Sequence, residues 1–243
     1  MYFNNISEAG VKTPAFFQTV FISDLHLGTK KSKAKLFLQF LEEVDFEQLV
    51  LVGDIIDGWA LRRGQKWTKT HTEVIRKLMK ISEKRQIIYI TGNHDDFIRP
   101  FLKDPFTFGN LEFHDHYIYE SISGRKIFVT HGDKFDFWMK IPTAPINFLA
   151  HFTDFFYRDK PENQSVHRYI RTCSTERALC RKGEQWDGVI CGHTHRAKFD
   201  DVYMNCGNWV KDCTFIAEDY EGNFSLNYYE KNIDCNRQSS ESD

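Results

Sequence analysis

The sequence predicts a mixed α/β domain in which two sheets pack together, with one helical segment inserted late in the chain. Three observations predict it. In the first half, three nearly apolar runs alternate with helix-periodic stretches, the pattern of βαβ units with right-handed crossovers and a parallel sheet. The second half changes to shorter runs bounded by turn residues, which read as further strands. Between about residues 135 and 183 the pattern becomes irregular and aromatic, then basic, unlike either half.

Residues 1–15 are polar and unpatterned and are expected to form a loose arm. Phe16–Ser23 reads as a first strand, apolar almost throughout, as in a strand covered on both faces. Lys33–Val44 carries Leu36, Phe37, Phe40, Leu41 and Val44 at helical spacing, and Leu49–Val52 is the second strand. Thr68 or Thr70 is placed to cap a helix bearing Val74, Ile75, Leu78, Met79 and Ile81. Gln86–Thr91 is the third strand. Leu111–Phe113, Tyr117–Ile122 and Lys126–Thr130 follow as short strands, with Ser123-Gly124 a hairpin signal between the last two. The inserted segment, a lid over 135–183, presents Phe148, Phe152, Phe155 and Phe156, and then a basic helix over Ser165–Lys182 with Arg168, Arg171, Arg177 and Arg181. Val189–Cys191 returns as a strand, and alternating strands run from about Ala197 to Tyr229. A polar tail covers 231–243. The whole chain, 1–243, is expected to be one domain.

Composition narrows the function classes. A chain that is 41% hydrophobic and 27% charged belongs with globular proteins. The formal net charge of −2 argues against a general nucleic-acid binder, which is usually basic. Six cysteines without a CxxC pair suit a reducing compartment rather than a zinc knuckle. The first residues lack the pattern of a signal peptide, and no apolar run approaches the roughly 20 residues that span a bilayer. A cytoplasmic location is expected, including the inner face of a membrane.

The chemistry collects at strand ends. Five apolar runs stop abruptly in Asp24-Leu-His26, Gly53-Asp54, Gly92-Asn93-His94-Asp95, His131-Gly132 and Gly192-His193-Thr-His195. A single Asp or His in such a place is usually a cap or a turn former; five together point to a metal site. Asp24 and His26, like His193 and His195, are two apart, which on an ideal strand puts both on one face. Ligands of open α/β sheets bind outside the carboxyl ends of the strands, where these residues gather. Imidazoles and carboxylates with a carboxamide suit manganese, iron, zinc or cobalt better than magnesium. They are too many for one tetrahedral ion, so two ions sharing a carboxylate are expected, and phosphoester hydrolysis is the reaction that most needs such a pair. His114 and His116 are read as surface residues, and His71, His151 and His167 as helical residues rather than ligands. Asp57 and Asp95 are candidates for orienting imidazoles.

In this order the five blocks resemble the signature of the calcineurin-like metallophosphoesterases, over about residues 17–215 apart from the lid. The resemblance implies a four-layer α/β/β/α sandwich with a dinuclear centre on strand-end loops. It implies that Asp24, His26 and His195 hold the first metal, that Asn93, His131 and His193 hold the second, and that Asp54 bridges them. His94 then works on the phosphate, by stabilising the pentacoordinate phosphorus or as a general acid. Manganese is the expected ion, with iron, zinc and cobalt also suited. Ile22–Gly28, Val52–Trp59 and His193–Arg196 are similar to the UDP-2,3-diacylglucosamine pyrophosphatase group of lipid A synthesis, whose proven members carry arginine where this chain has His94. A phosphorylated small molecule or a nucleotide-linked lipid is the expected substrate. Trp59, Arg62, Arg63, Arg168 and Arg171 are its candidate contacts, and the aromatic lid suits acyl chains at a membrane surface. Two alternatives stand beside this reading: a phosphodiesterase or phosphatase on soluble nucleotides or phosphoproteins, and an inactive scaffold that binds proteins.

Overall fold

The structure, a computed structural model, describes residues 16–103, 107–136 and 174–229. The N-terminal arm, most of the lid, with His151, His167, Arg168 and Arg171, and the 231–243 tail lie outside them.

The first half folds as expected. Strands β1 (Phe16–Ile22), β2 (Asp45–Val52) and β3 (Gln86–Ile90) alternate with helices α1 (Ala34–Glu43) and α3 (Lys69–Ser82), and the strands pair in parallel. Thr68, not Thr70, caps α3, and His71 closes the capping box from the third helical position. A short helix α2 (Gly58–Arg62) lies between β2 and α3, where no helix was expected. It starts there because the Asp57 side chain accepts the Ala60 N–H at 2.7 Å.

Seven strands form the first sheet in the order β12-β11-β1-β2-β3-β5-β4. The later members are β4 (Thr107–Phe108), β5 (Leu111–His114), β11 (Thr214–Glu218) and β12 (Phe224–Tyr228). Five form the second, in the order β6-β7-β8-β10-β9. These are β6 (Tyr117–Glu120), β7 (Lys126–Val129), β8 (Val189–Cys191), β9 (Lys198–Phe199) and β10 (Tyr203–Asn205). The hairpin expected at Ser123-Gly124 joins β6 to β7.

Side-chain alternation along the strands builds the layers. Val20, Ile22, Leu49, Leu51, Ile87 and Tyr89 face the helix side, where Phe37, Phe40, Val74, Leu78 and Trp209 complete a buried cluster. Their neighbours Phe21, Val50, Val52, Ile88 and Ile90 face inward against Ile127, Val129, Ile190 and Met204 of the second sheet. On the outer face of that sheet, Phe128, Val189, Cys191 and Tyr203 pack with Leu179, which lies in a helix α4 over 174–183. The order helix, sheet, sheet, helix is the expected sandwich. No helix among the described residues is long and apolar enough to cross a membrane.

Candidate metal centre

Strand register sets the site. Ile22 pairs with Leu51 and Val52 with Ile90, so Asp24, Asp54 and Asn93 leave the first sheet at one level. Val129 pairs with Ile190, which sends His131 and His193 off the second sheet together. Backbone bonds continue past the strand ends: Asp24 N–H to Gly53 O (3.1 Å), His26 N–H to Asp54 O (2.9 Å) and Gly192 N–H to His131 O (3.0 Å). The two sheets are tied at the same level. His131 Nδ1 lies 2.9 Å from the Val52 carbonyl, and the His193 N–H donates to Asp24 Oδ2 at 3.0 Å.

The way these side chains are aimed corrects the strand-face expectation. β1 and β8 end at Ile22 and Cys191, before the polar residues begin. Asp24, His26, Asp54, His193 and His195 all adopt left-handed backbone, with φ of 56°, 48°, 55°, 66° and 58°. Tight left-handed turns, not two-residue alternation, therefore point them inward. Such conformations cost about 1–3 kcal/mol each and persist where the surroundings over-determine them. Cys213 is the one other described non-glycine residue with positive φ.

Asp54 is the hub. Its Oδ2 lies 3.3 Å from His131 Nε2 and 3.9 Å from both His26 Nε2 and His94 Nε2, while Oδ1 accepts the His94 N–H at 2.8 Å. Beside it, His195 Nε2 is 2.9 Å from Asp24 Oδ1 and 3.2 Å from His26 Nε2. Asp24 Oδ1, Asn93 Oδ1 and His131 Nε2 are buried, with no well-oriented hydrogen-bond partner. Buried polar atoms are normally satisfied; three that are not, among crowded imidazoles and carboxylates, fit cations as their missing partners. Asp24, His26 and His195 can converge on one ion, and so can Asp24, Asp54 and His131. His26, Asp54 and His94 form a third such group.

The electrostatics agree with that fit. Burial disfavours charge on His26, yet bonds to Asp24 and Asp57 and the charge of Asp54 raise its pKa to about 10. His131, fully buried, is likewise held well above the ordinary histidine value, mainly by Asp54. Asp24 stays well below the usual carboxylate range despite burial, through His195 and His26. The carboxylates that favour positive charge on these imidazoles would favour a bound cation in the same way.

His193 is placed differently from the other histidines. Its Nε2 lies 3.1 Å from Oδ2 of Asp136, a buried residue, and it belongs to none of the three groups above. Sequence reasoning passed over Asp136, whose one signal is its place five residues after His131. If His193 is a metal ligand, removing this carboxylate by Asp136→Asn is expected to weaken metal uptake by about 10–100-fold, the usual worth of a partner that orients a ligand. Metal titration followed by elemental analysis checks this.

Asp57 does what was expected of it: Oδ2 is 3.0 Å from His26 Nδ1, and Oδ1 is 3.0 Å from His94 Nδ1. Asp95 does not. It meets no imidazole, but its carboxylate accepts backbone N–H groups of Ile55 (3.0 Å) and Gly92 and the Tyr89 hydroxyl (2.7 Å). It joins the second and third strand-end loops, and burial followed by the charge of Asp54 raises its pKa to about 6. Gly92 is held to glycine by close approach, since a Cβ there would overlap the carboxylate and backbone nitrogen of Asp54. Gly92→Ala is expected to shift Asp54, lower metal content and destabilise the fold by about 1–3 kcal/mol. Elemental analysis and thermal unfolding read the two effects.

His94 sits where this metal cluster meets a cleft of about 1030 Å³. Its ring packs against Trp59, with centroids 4.4 Å apart, so Trp59 backs the imidazole as well as lining the cleft. Arg63 lines the cleft too, whereas Arg62 is exposed and does not. His114 pairs with Glu112 at 3.2 Å and His116 is exposed beside Asp115, away from the cluster.

Residues 17–197 match the family model for Calcineurin-like phosphoesterase. Among characterised proteins, the chain is similar to the DNA polymerase II small subunit of Methanothermobacter thermautotrophicus, at 25% identity over 150 residues. That match covers 49% of this chain and 31% of the archaeal protein, so the chain spans about a third of the relative's length. Among solved structures, it is similar to Yfce, a phosphoesterase from E. coli (14% identity, TM-score 0.42, covering 87% of this chain and 99% of that one). A dimetal phosphatase from Danio rerio is similar at 13% identity and TM-score 0.44, covering 89% of this chain and 96% of that one. At these identities the likenesses do not extend to a substrate.

Proposed function

The chain belongs to the calcineurin-like phosphoesterase family and is a metallophosphoesterase, and we propose that it hydrolyses a phosphoanhydride or phosphodiester in a nucleotide-linked substrate. The observation that carries this reading is the convergence of three imidazole nitrogens on Asp54 Oδ2, at the mouth of a cleft. The family implies a dinuclear divalent centre. We assign Asp24, His26 and His195 to one ion, Asn93, His131 and His193 to the other, and Asp54 to both, with manganese the first ion to try. When bound, such ions act as Lewis acids toward phosphoryl oxygens and acidify water. The chain's own residues do the rest. Asp57 Oδ1 lies 3.0 Å from His94 Nδ1, Nε2 lies 3.9 Å from Asp54 Oδ2, and the Trp59 ring packs against the imidazole where it lines the cleft. A proton on Nε2 is then placed to stabilise the charged phosphoryl group or to reach the leaving oxygen.

The finer reading is hydrolysis of a UDP-2,3-diacylglucosamine-like diphosphate to a lipid monophosphate and a nucleoside monophosphate. It is supported by the blocks Ile22–Gly28, Val52–Trp59 and His193–Arg196, and it places the protein in the cytoplasm with the lid at a membrane surface. The panel that tests it holds UDP-diacylglucosamine, cyclic dinucleotides and nitrophenyl phosphates. A single-stranded oligonucleotide joins them because the archaeal relative is named as a polymerase subunit. Preferential turnover of the UDP-lipid is expected; activity confined to the soluble esters would rule out the lipid. Purified protein that takes up no stoichiometric metal and gains no activity with manganese would favour the scaffold alternative.

A further inference from the structure

The cleft beside His94 carries more positive charge than one phosphate requires. Lys30, Lys31, Arg63, Arg196 and Lys211 all line it. Of the two carboxylates in its walls, Asp57 is engaged by His26, His94 and the Ala60 N–H. The other, Asp212, accepts from Asn208 Nδ2 at 2.9 Å and lies 3.8 Å from Lys211 Nζ, so it offsets only one of the five cations. Surface cations are usually solvated and contribute little, so number alone decides nothing. Placement does.

Each cation-bearing loop is tied to a residue of the metal cluster. Lys30 and Lys31 follow Thr29, whose N–H (3.1 Å) and hydroxyl (3.0 Å) both donate to the His26 carbonyl. Arg196 is the residue after His195. Lys211 lies in a turn organised by Asn208: the side-chain oxygen accepts the Lys211 N–H at 2.8 Å, and the side-chain nitrogen donates to the His195 carbonyl at 3.2 Å. Arg63 ends the short helix that begins at Asp57. His26, His94 and His195 line the cleft; Asn93, His131 and His193 are not among its walls. The positive wall is therefore one-sided, lying beyond the His26–His195 half of the centre. Cations gathered in a cleft concentrate potential and draw in anions, and an arginine there can take a phosphate through two parallel bonds.

We propose that Lys30, Lys31, Arg196 and Lys211, with Arg63, form a subsite for a second phosphate of the substrate, on the His26–His195 side of the phosphate under attack. This rests on the phosphohydrolase reading above. It gives recognition of that second phosphate to the strand-end loops, not to the candidate lid contacts Arg168 and Arg171. The net charge of −2 favours a small diphosphate over a nucleic-acid track.

The test is calorimetric, on the full-length, manganese-loaded protein, with UDP and UMP as probes and free manganese held constant. Wild type is expected to bind UDP at least about tenfold more tightly than UMP. The triple variant Lys30→Ala, Lys31→Ala, Lys211→Ala should lose most of that preference, and Arg168→Ala, Arg171→Ala should keep it. Equal affinity of wild type for UDP and UMP would overturn the subsite. So would a preference that survives the triple variant, or one lost only with the lid arginines. A triple variant weakened equally toward both nucleotides would show general attraction in place of a subsite, and would overturn it too. Turnover of nitrophenyl phosphates is measured separately. Its absence in metal-loaded protein would count against the phosphohydrolase reading, while the nucleotide affinities still report on the subsite.

Discussion

Replacing Asp54 by alanine is expected to strip metal from both halves of the centre and to lower turnover by on the order of 10⁴-fold, about 5.4 kcal/mol at 1.36 kcal/mol per factor of ten. The size follows from position. Asp54 Oδ2 stands between His131 Nε2 at 3.3 Å and His26 Nε2 at 3.9 Å, so one carboxylate serves both sides. Its Oδ1 also accepts the His94 N–H, and the left-handed turn at residue 54 is built for this side chain. Elemental analysis of the purified variant should find well under one ion per chain. An Asp54→Ala protein that retained two ions would mean that this carboxylate bridges nothing.

His94→Ala should separate metal binding from chemistry. The imidazole is held from outside the assigned ligand set, by Asp57 at 3.0 Å and by the face of Trp59, so both ions are expected to stay. Turnover should fall by about 10²–10⁴-fold, the usual range for a general acid. The loss should be smaller with a p-nitrophenyl ester, whose leaving group departs as a stable anion, than with an alkyl ester, whose leaving oxygen needs the proton. His26, Asp54 and His94 can also converge on one ion. A His94→Ala protein that lost metal along with activity would make His94 a ligand and assign the proton transfer elsewhere.

What could be read in the residues, and what could not, follows a physical line. The three parallel strands and the burial of Val20, Val50 and Ile88 came from nearly continuous apolar runs, which one sequence displays directly. The five polar strand ends were legible because a carboxylate or imidazole after an apolar run has few reasons to be there. The geometry that aims them was not. Backbone φ at Asp24, His26, Asp54, His193 and His195 is set by the neighbouring strands, and nothing in an Asp-Leu-His string shows a left-handed turn. The requirement for glycine at 92 comes from Asp54, at the end of another strand, and a single sequence does not show it. Asp136 depends on a contact with the distant His193, and Asp95 orients backbone rather than imidazole in part through the distant Ile55 N–H, whereas the α2 cap at Asp57 is a local bond three residues long. Of the cations of the basic cleft only Arg63 was singled out, because they come from four separate places in the chain.

The most direct test of the central claim is an anomalous-scattering crystal structure of the full chain grown with manganese. Two anomalous peaks are expected, one beside Asp24, His26 and His195 and one beside Asn93, His131 and His193, both against the Asp54 carboxylate, with His94 unligated. A single peak, or His94 bonded to either ion, would contradict it.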